Sequence, residues 1–163
     1  MRLALFYLFL LFMQSFWGAW LAPYPAPDLF LIGVLTLLWR IVPWQFVLVA
    51  YGVGLLQDLL GSGYLGLHAL GLAGGAMAAL IVRSQLSQTS FFERSLAVLA
   101  AVAGKWIAVA PLLVWQSGTF YILRGALDVF PVEALFTLLF ALWLLPWAEA
   151  LMERTRILRK ELL

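Results

Sequence analysis

The chain has 163 residues, of which 65% are hydrophobic and 11% charged. A soluble domain carries about a quarter charged residues, so this composition, with its long apolar runs, points to an integral membrane protein. A formal net charge of +2 is too small to suggest a nucleic-acid partner, and the absence of cysteine excludes disulfides, thiolate catalysis and cysteine-based metal sites.

A helix needs roughly 20 apolar residues to cross a bilayer, and six segments approach that requirement. The first is 3–21. One arginine before an apolar run and small residues after it resemble a signal peptide, but the run is long for one and more spans follow, so it reads as a retained transmembrane helix. The prolines of "PYPAP" at 23–27 end it, because they cannot continue a helix. A short second span covers 28–39. Pro43 then opens a third, 43–60, in the first-turn position that proline favours. "GSG" at 61–63 makes a tight turn into the fourth span, 64–82. A polar loop leads to the fifth, 95–115, and the stretch "QSGTFYILRGALD" to the sixth, 131–151, which runs into a charged tail.

Basic residues accumulate on the cytoplasmic side of membrane proteins. With the N-terminus inside, Arg2, Arg40, Arg83, Arg94, Arg154, Arg156, Arg159 and Lys160 are all cytoplasmic, and only Arg124 is outside. Both termini are therefore expected in the cytoplasm. Trp17, Trp20, Trp39, Trp44, Trp115 and Trp147 fall near span ends, as an aromatic belt requires. No loop is long enough for a soluble domain, and no phosphate-binding glycine loop occurs. The expected architecture is an all-α integral membrane bundle, one transmembrane domain over 1–163.

The few polar residues inside these spans are the candidate sites, because an intramembrane charge is costly unless paired. Asp58, near the outer end of the third span, and His68, one turn into the fourth, are brought to similar depth by the 61–63 turn; Asp58 is expected to lock that hairpin by pairing with His68 or with backbone amides at the start of the fourth span. One histidine and one aspartate supply too few ligands for zinc, so no metal and no cofactor are expected. Ser62 with His68 and Asp58 is a poor hydrolase triad, since a turn serine and a histidine on the next helix do not give the required contact. No catalytic residue is assigned. Lys105 lies near the middle of the fifth span; Asp58 is its expected partner by depth, with Glu133 or Glu149 reachable only by a helix shift. Asp28 after Pro27, and Glu133 after Pro131, read as acids at helix starts. Gly71, Gly75 and Ala79 in the fourth span, and Ala100, Gly104 and Ala108 in the fifth, form small-residue stripes that let helices approach closely, either within the bundle or against another protein's helix. In the tail, Leu151, Thr155, Leu158 and Leu162 share a face and anchor the last helix, beside bases that suit a cytoplasmic partner or anionic lipid.

"PDLFLIGVLTLLW" at 27–39 and "GVGLLQDLLGSGYLGLHALGL" at 52–72 resemble the rod shape-determining protein MreD family, at Pro27, Asp28, Gly54, Leu55, Leu56, Asp58, Gly66, His68 and Ala69. The likeness covers about a third of the chain, 26–80, and Ala26 stands where that family often has a basic residue. The resemblance implies a non-catalytic, multi-pass subunit of the bacterial cytoplasmic (inner) membrane, part of the cell-elongation machinery, or elongasome, that governs peptidoglycan synthesis and cell shape. Its implied partners are MreC, a single-span protein with an external domain, RodA, a glycan polymerase, its penicillin-binding transpeptidase, and the MreB filament. It further implies a six-helix fold like the substrate-binding S components of vitamin transporters. On that likeness, Asp58 and His68 are expected to hold a surface for MreC. A small-molecule-binding transport subunit is the alternative, with Gln14, Asp58, Gln116, Arg124, Asp128 and Glu133 at the outer ends to line a pocket.

Overall fold

The computed structural model describes residues 2–22, 24–60, 64–85 and 91–161, the side chains of 2–8, 11 and 149–161 excepted. These residues form six helices and no strand: α1 (Arg2–Trp20), α2 (Leu29–Leu35), α3 (Pro43–Leu60), α4 (Leu67–Arg83), α5 (Phe91–Ser117) and α6 (Ile122–Glu161). Local chemistry explains most boundaries. Pro43 is the first residue of α3, where its missing N–H costs nothing. Asp28 caps α2, accepting a hydrogen bond from the Leu31 N–H. Gly66 (φ +94°) starts α4 and Gly118 (φ +65°) ends α5 in left-handed conformations that only glycine adopts without strain.

Two elements differ from the spans expected. Within 28–39 the helix is only seven residues, Leu29–Leu35, followed by turns at 36–40. At 1.5 Å per residue it is about 10 Å long, a third of a bilayer core. The last helix begins at Ile122 rather than 131, and contains Pro131 and Pro146. Proline breaks water-exposed helices, but an apolar setting with neighbouring helices tolerates it.

All seven α2 residues are buried, and α2 packs on every other helix. It is the hub of the molecule. The helices α3, α4, α5 and α6 follow one another side by side around it, and α1 packs on α2. Trp17 of α1 also meets Phe140 of α6 edge to face at 5.0 Å. The core is centred on Phe30, Leu31, Ile32 and Val34 of α2, with Phe46, Leu72, Val98 and Val102 against them.

Small residues set the α4–α5 distance. A Cβ on Gly75 would lie 2.7 Å from the Ala101 carbonyl oxygen, and one on Gly104 2.7 Å from that of Gly74. A Cβ on Gly71 would meet Val109 and Lys105 at 2.9 and 3.3 Å. Members of both stripes lie on this seam but are offset: Gly71 and Gly75 meet Ala101, Lys105 and Val109, whereas Gly104 and Ala108 meet Gly74, and Gly104 also meets Ala78.

Helix α5 (Phe91–Ser117) and the Ile122–Ala148 part of α6 are long and apolar enough to cross a membrane. Only 28% of the most apolar window of each is buried, unlike the core helix of a soluble domain. Leu135, Leu139, Trp143 and Trp147, four residues apart on α6, are all exposed.

Candidate functional site

Among the described residues, two buried polar clusters join helices of this apolar molecule. The first is built around the N-terminus of α2. Asp28 there is 4% exposed. One carboxylate oxygen caps the helix through the Leu31 N–H (2.9 Å), and the other accepts from Lys105 Nζ of α5 (2.5 Å). Lys105 donates also to Glu133 Oε1 of α6 (2.6 Å), while Glu133 Oε2 accepts from Trp106 Nε1 (3.1 Å). The main chain is held as well. The Asp28 N–H donates to Thr137 Oγ1 (3.0 Å), and the Leu29 N–H to Gln14 Oε1 of α1 (2.9 Å). One lysine between two buried carboxylates therefore ties α2, α5 and α6 together, and Gln14 adds α1. An unpaired charge in such a place would cost several kcal/mol, and each charge in this cluster has a charged partner.

The second cluster closes the α3–α4 hairpin. Asp58, 3% exposed, sits in the last turn of α3. Its Oδ2 accepts from the N–H groups of Gly66 (2.9 Å) and Ala69 (3.1 Å), and its Oδ1 from the N–H of His68 (3.0 Å). His68 Nδ1 is 2.8 Å from Oδ1. A carboxylate only accepts, so Nδ1 carries the proton. The first turn of a helix has N–H groups without intrahelical partners, and the α4 N-cap residue, Gly66, has no side chain to serve them. Asp58 does so from the preceding helix. Gly54, one turn earlier, lets α4 approach: a Cβ there would fall 2.6 Å from the Ala69 nitrogen and the His68 carbonyl oxygen.

Asp58 and His68 meet as the sequence suggests, with backbone amides as additional partners. The expected partner of Lys105 does not: Lys105 pairs with Asp28 and Glu133, and Asp58 is occupied elsewhere. Asp28 does open a helix, but Glu133 lies in the interior of α6 because that helix starts at Ile122. Gly71, Gly75 and Gly104 lie on the α4–α5 seam, Gly71 against Lys105 itself. Trp106 and Thr137 have no part in the sequence reading, and Gln14 enters it only as a candidate pocket-lining residue, not as a partner of the Leu29 N–H. Their signal is weak, although a glutamine and a threonine within apolar runs are polar groups that need partners. Ser62, the 61–63 turn, Leu162 and the side chains of Glu149, Leu151, Thr155 and Leu158 lie outside the described residues. Among the described residues no group of three or more His, Cys, Asp or Glu is arranged to hold a metal ion. No protein-family model, curated protein or solved structure matches the chain.

Proposed function

We propose that this chain is a multi-pass scaffold subunit of the bacterial inner membrane, acting without catalysis in the cell-elongation complex as the MreD-like motif implies. In this reading both termini are cytoplasmic and the six helices form one S-component-like transmembrane bundle. The chain crosses at α2 as a broken helix. Non-helical backbone at membrane depth is tolerated only where protein covers it, and Pro27 and Asp28 are buried.

One observation carries the scaffold reading. In broken-helix transporters the N-terminus of a half-helix near mid-membrane receives the anionic group of the substrate. Here the chain's own Asp28 carboxylate occupies that position, already bonded to Leu31 and Lys105. The polar groups are spent on joining helices. What such a rigid bundle offers a partner is its surface. The hairpin locked by Asp58 presents Leu59, Leu60, Tyr64 and Leu65, all exposed, as an apolar tip for the membrane-proximal base of an MreC-like single-span protein. The RodA-like polymerase, its penicillin-binding transpeptidase and the MreB filament join through the same assembly.

Co-expression with an MreC-like partner and affinity capture in detergent tests this. The wild type is expected to retain the partner. Leu59→Ser with Leu65→Ser is expected to lose it while remaining monodisperse. No capture by the wild type, together with a melting temperature that rises on adding a vitamin, would replace this reading with the transport one.

A further inference from the structure

The end of the bundle away from the Asp58 hairpin gathers arginines. Arg83, the last residue of α4, donates to the Leu38 carbonyl (2.6 Å), and its guanidinium lies 5.2 Å from the centre of the Trp39 ring. Arg94, in the first turn of α5, lines two adjoining clefts, and Leu38 and Trp39 line the smaller. The larger has a volume of about 200 Å³ and lies between the start of α5 and residues 141–146 of α6. Its walls are Phe91, Ala141, Leu142, Leu145 and Pro146, and among the described residues Arg94 is its one charged group. Pro146 has no N–H to give the Leu142 carbonyl, so that carbonyl lacks its usual i+4 donor. Among the described side chains, the charges at this end are Arg40, Arg83 and Arg94 against Glu93.

The cleft is smaller than the roughly 300–1,000 Å³ that encloses a small-molecule ligand, and it is half open. It suits part of an amphiphile: apolar over most of its length and anionic at one point. Arg94 has a partner within the chain, but a guanidinium offers five N–H donors in a fork that fits phosphate. Basic pockets between transmembrane helices on the cytoplasmic side receive anionic lipid headgroups, and the basic majority places this end in that leaflet.

We propose that this cleft binds an anionic phospholipid, its phosphodiester on Arg94 and the upper part of an acyl chain along Phe91, Leu142 and Leu145. The inference rests on the membrane reading above, which recovery of the chain from carbonate-washed membranes checks separately.

The test is native mass spectrometry of the delipidated, detergent-solubilised protein titrated with phosphatidylglycerol or with phosphatidylcholine of the same chains. The wild type is expected to prefer phosphatidylglycerol about fivefold, the worth of one basic residue at a membrane surface. Arg94→Gln should abolish the preference. Leu142→Trp, which fills the cleft and keeps the charge, should do the same, and it decides the matter where Arg94→Gln does not fold. Equal binding of the two lipids, a preference unchanged in the folded variants, or displacement of the lipid by inorganic phosphate would overturn the proposal while leaving the membrane reading intact. A chain absent from washed membranes would overturn both.

Discussion

Asp58 and His68 look like a symmetrical pair, but their surroundings give them unequal weight. The Asp58 carboxylate serves three backbone N–H groups in addition to the imidazole, whereas the His68 side chain is 36% exposed. Each buried donor left without a partner costs about 1–3 kcal/mol, while a partly exposed ion pair is worth about 1 kcal/mol or less. Asp58→Ala is therefore expected to destabilise the protein by about 3 kcal/mol, and His68→Ala by about 1 kcal/mol or less. Thermal unfolding in detergent measures both, and equal losses would show that the imidazole carries the lock. This pair was legible in the sequence because the partners are ten residues apart across a short turn. Amides at the start of the fourth span were legible only as an alternative to the imidazole; that Asp58 serves three of them together with His68 follows from how closely the two helices pack, which the sequence does not state.

Among the helices, the α4–α5 seam tolerates little added volume. Gly104→Ala places a methyl group against the Gly74 carbonyl and must push two backbones apart, at about 1–3 kcal/mol. Gly52, exposed on α3, has nothing within 4 Å of a Cβ, so Gly52→Ala should be neutral or stabilise by about 0.5–1 kcal/mol through helix propensity. Opposite shifts in melting temperature would verify the seam; a harmless Gly104→Ala would show that α4 and α5 separate easily. The glycine stripes were visible as a four-residue repeat, but the repeat does not say which helix faces it. Helix ends were harder. Pro131 with Glu133 resembles a helix start, and α6 instead carries both in its interior. That misplacement hid the partners of Lys105, because depth was reckoned from span ends. The brevity of α2 was hidden for a related reason: "LFLIGVLTLLW" is apolar but for Thr36, and apolarity alone cannot distinguish a spanning helix from a short one buried on all sides.

For the molecule as a whole, the proposed topology is open to direct mapping. The chain contains no cysteine, so each introduced thiol is a unique label. Thr155→Cys should react with a membrane-impermeant maleimide only from the cytoplasmic side, and Thr119→Cys, between α5 and α6, only from the outside. The reverse pattern would invert the bundle. The wider claim is that the polar residues serve one another. The Lys105 ammonium between Asp28 and Glu133 joins three helices, and removing one member of a buried ion cluster strands the others. The measurement that tests this most directly is thermal stability in detergent of Lys105→Met alone and combined with Glu133→Gln. Lys105→Met leaves two facing carboxylates and should cost about 3–5 kcal/mol; adding Glu133→Gln removes one of those charges and should restore most of the loss. A Lys105→Met protein as stable as the wild type, with no gain from the second substitution, would contradict the account.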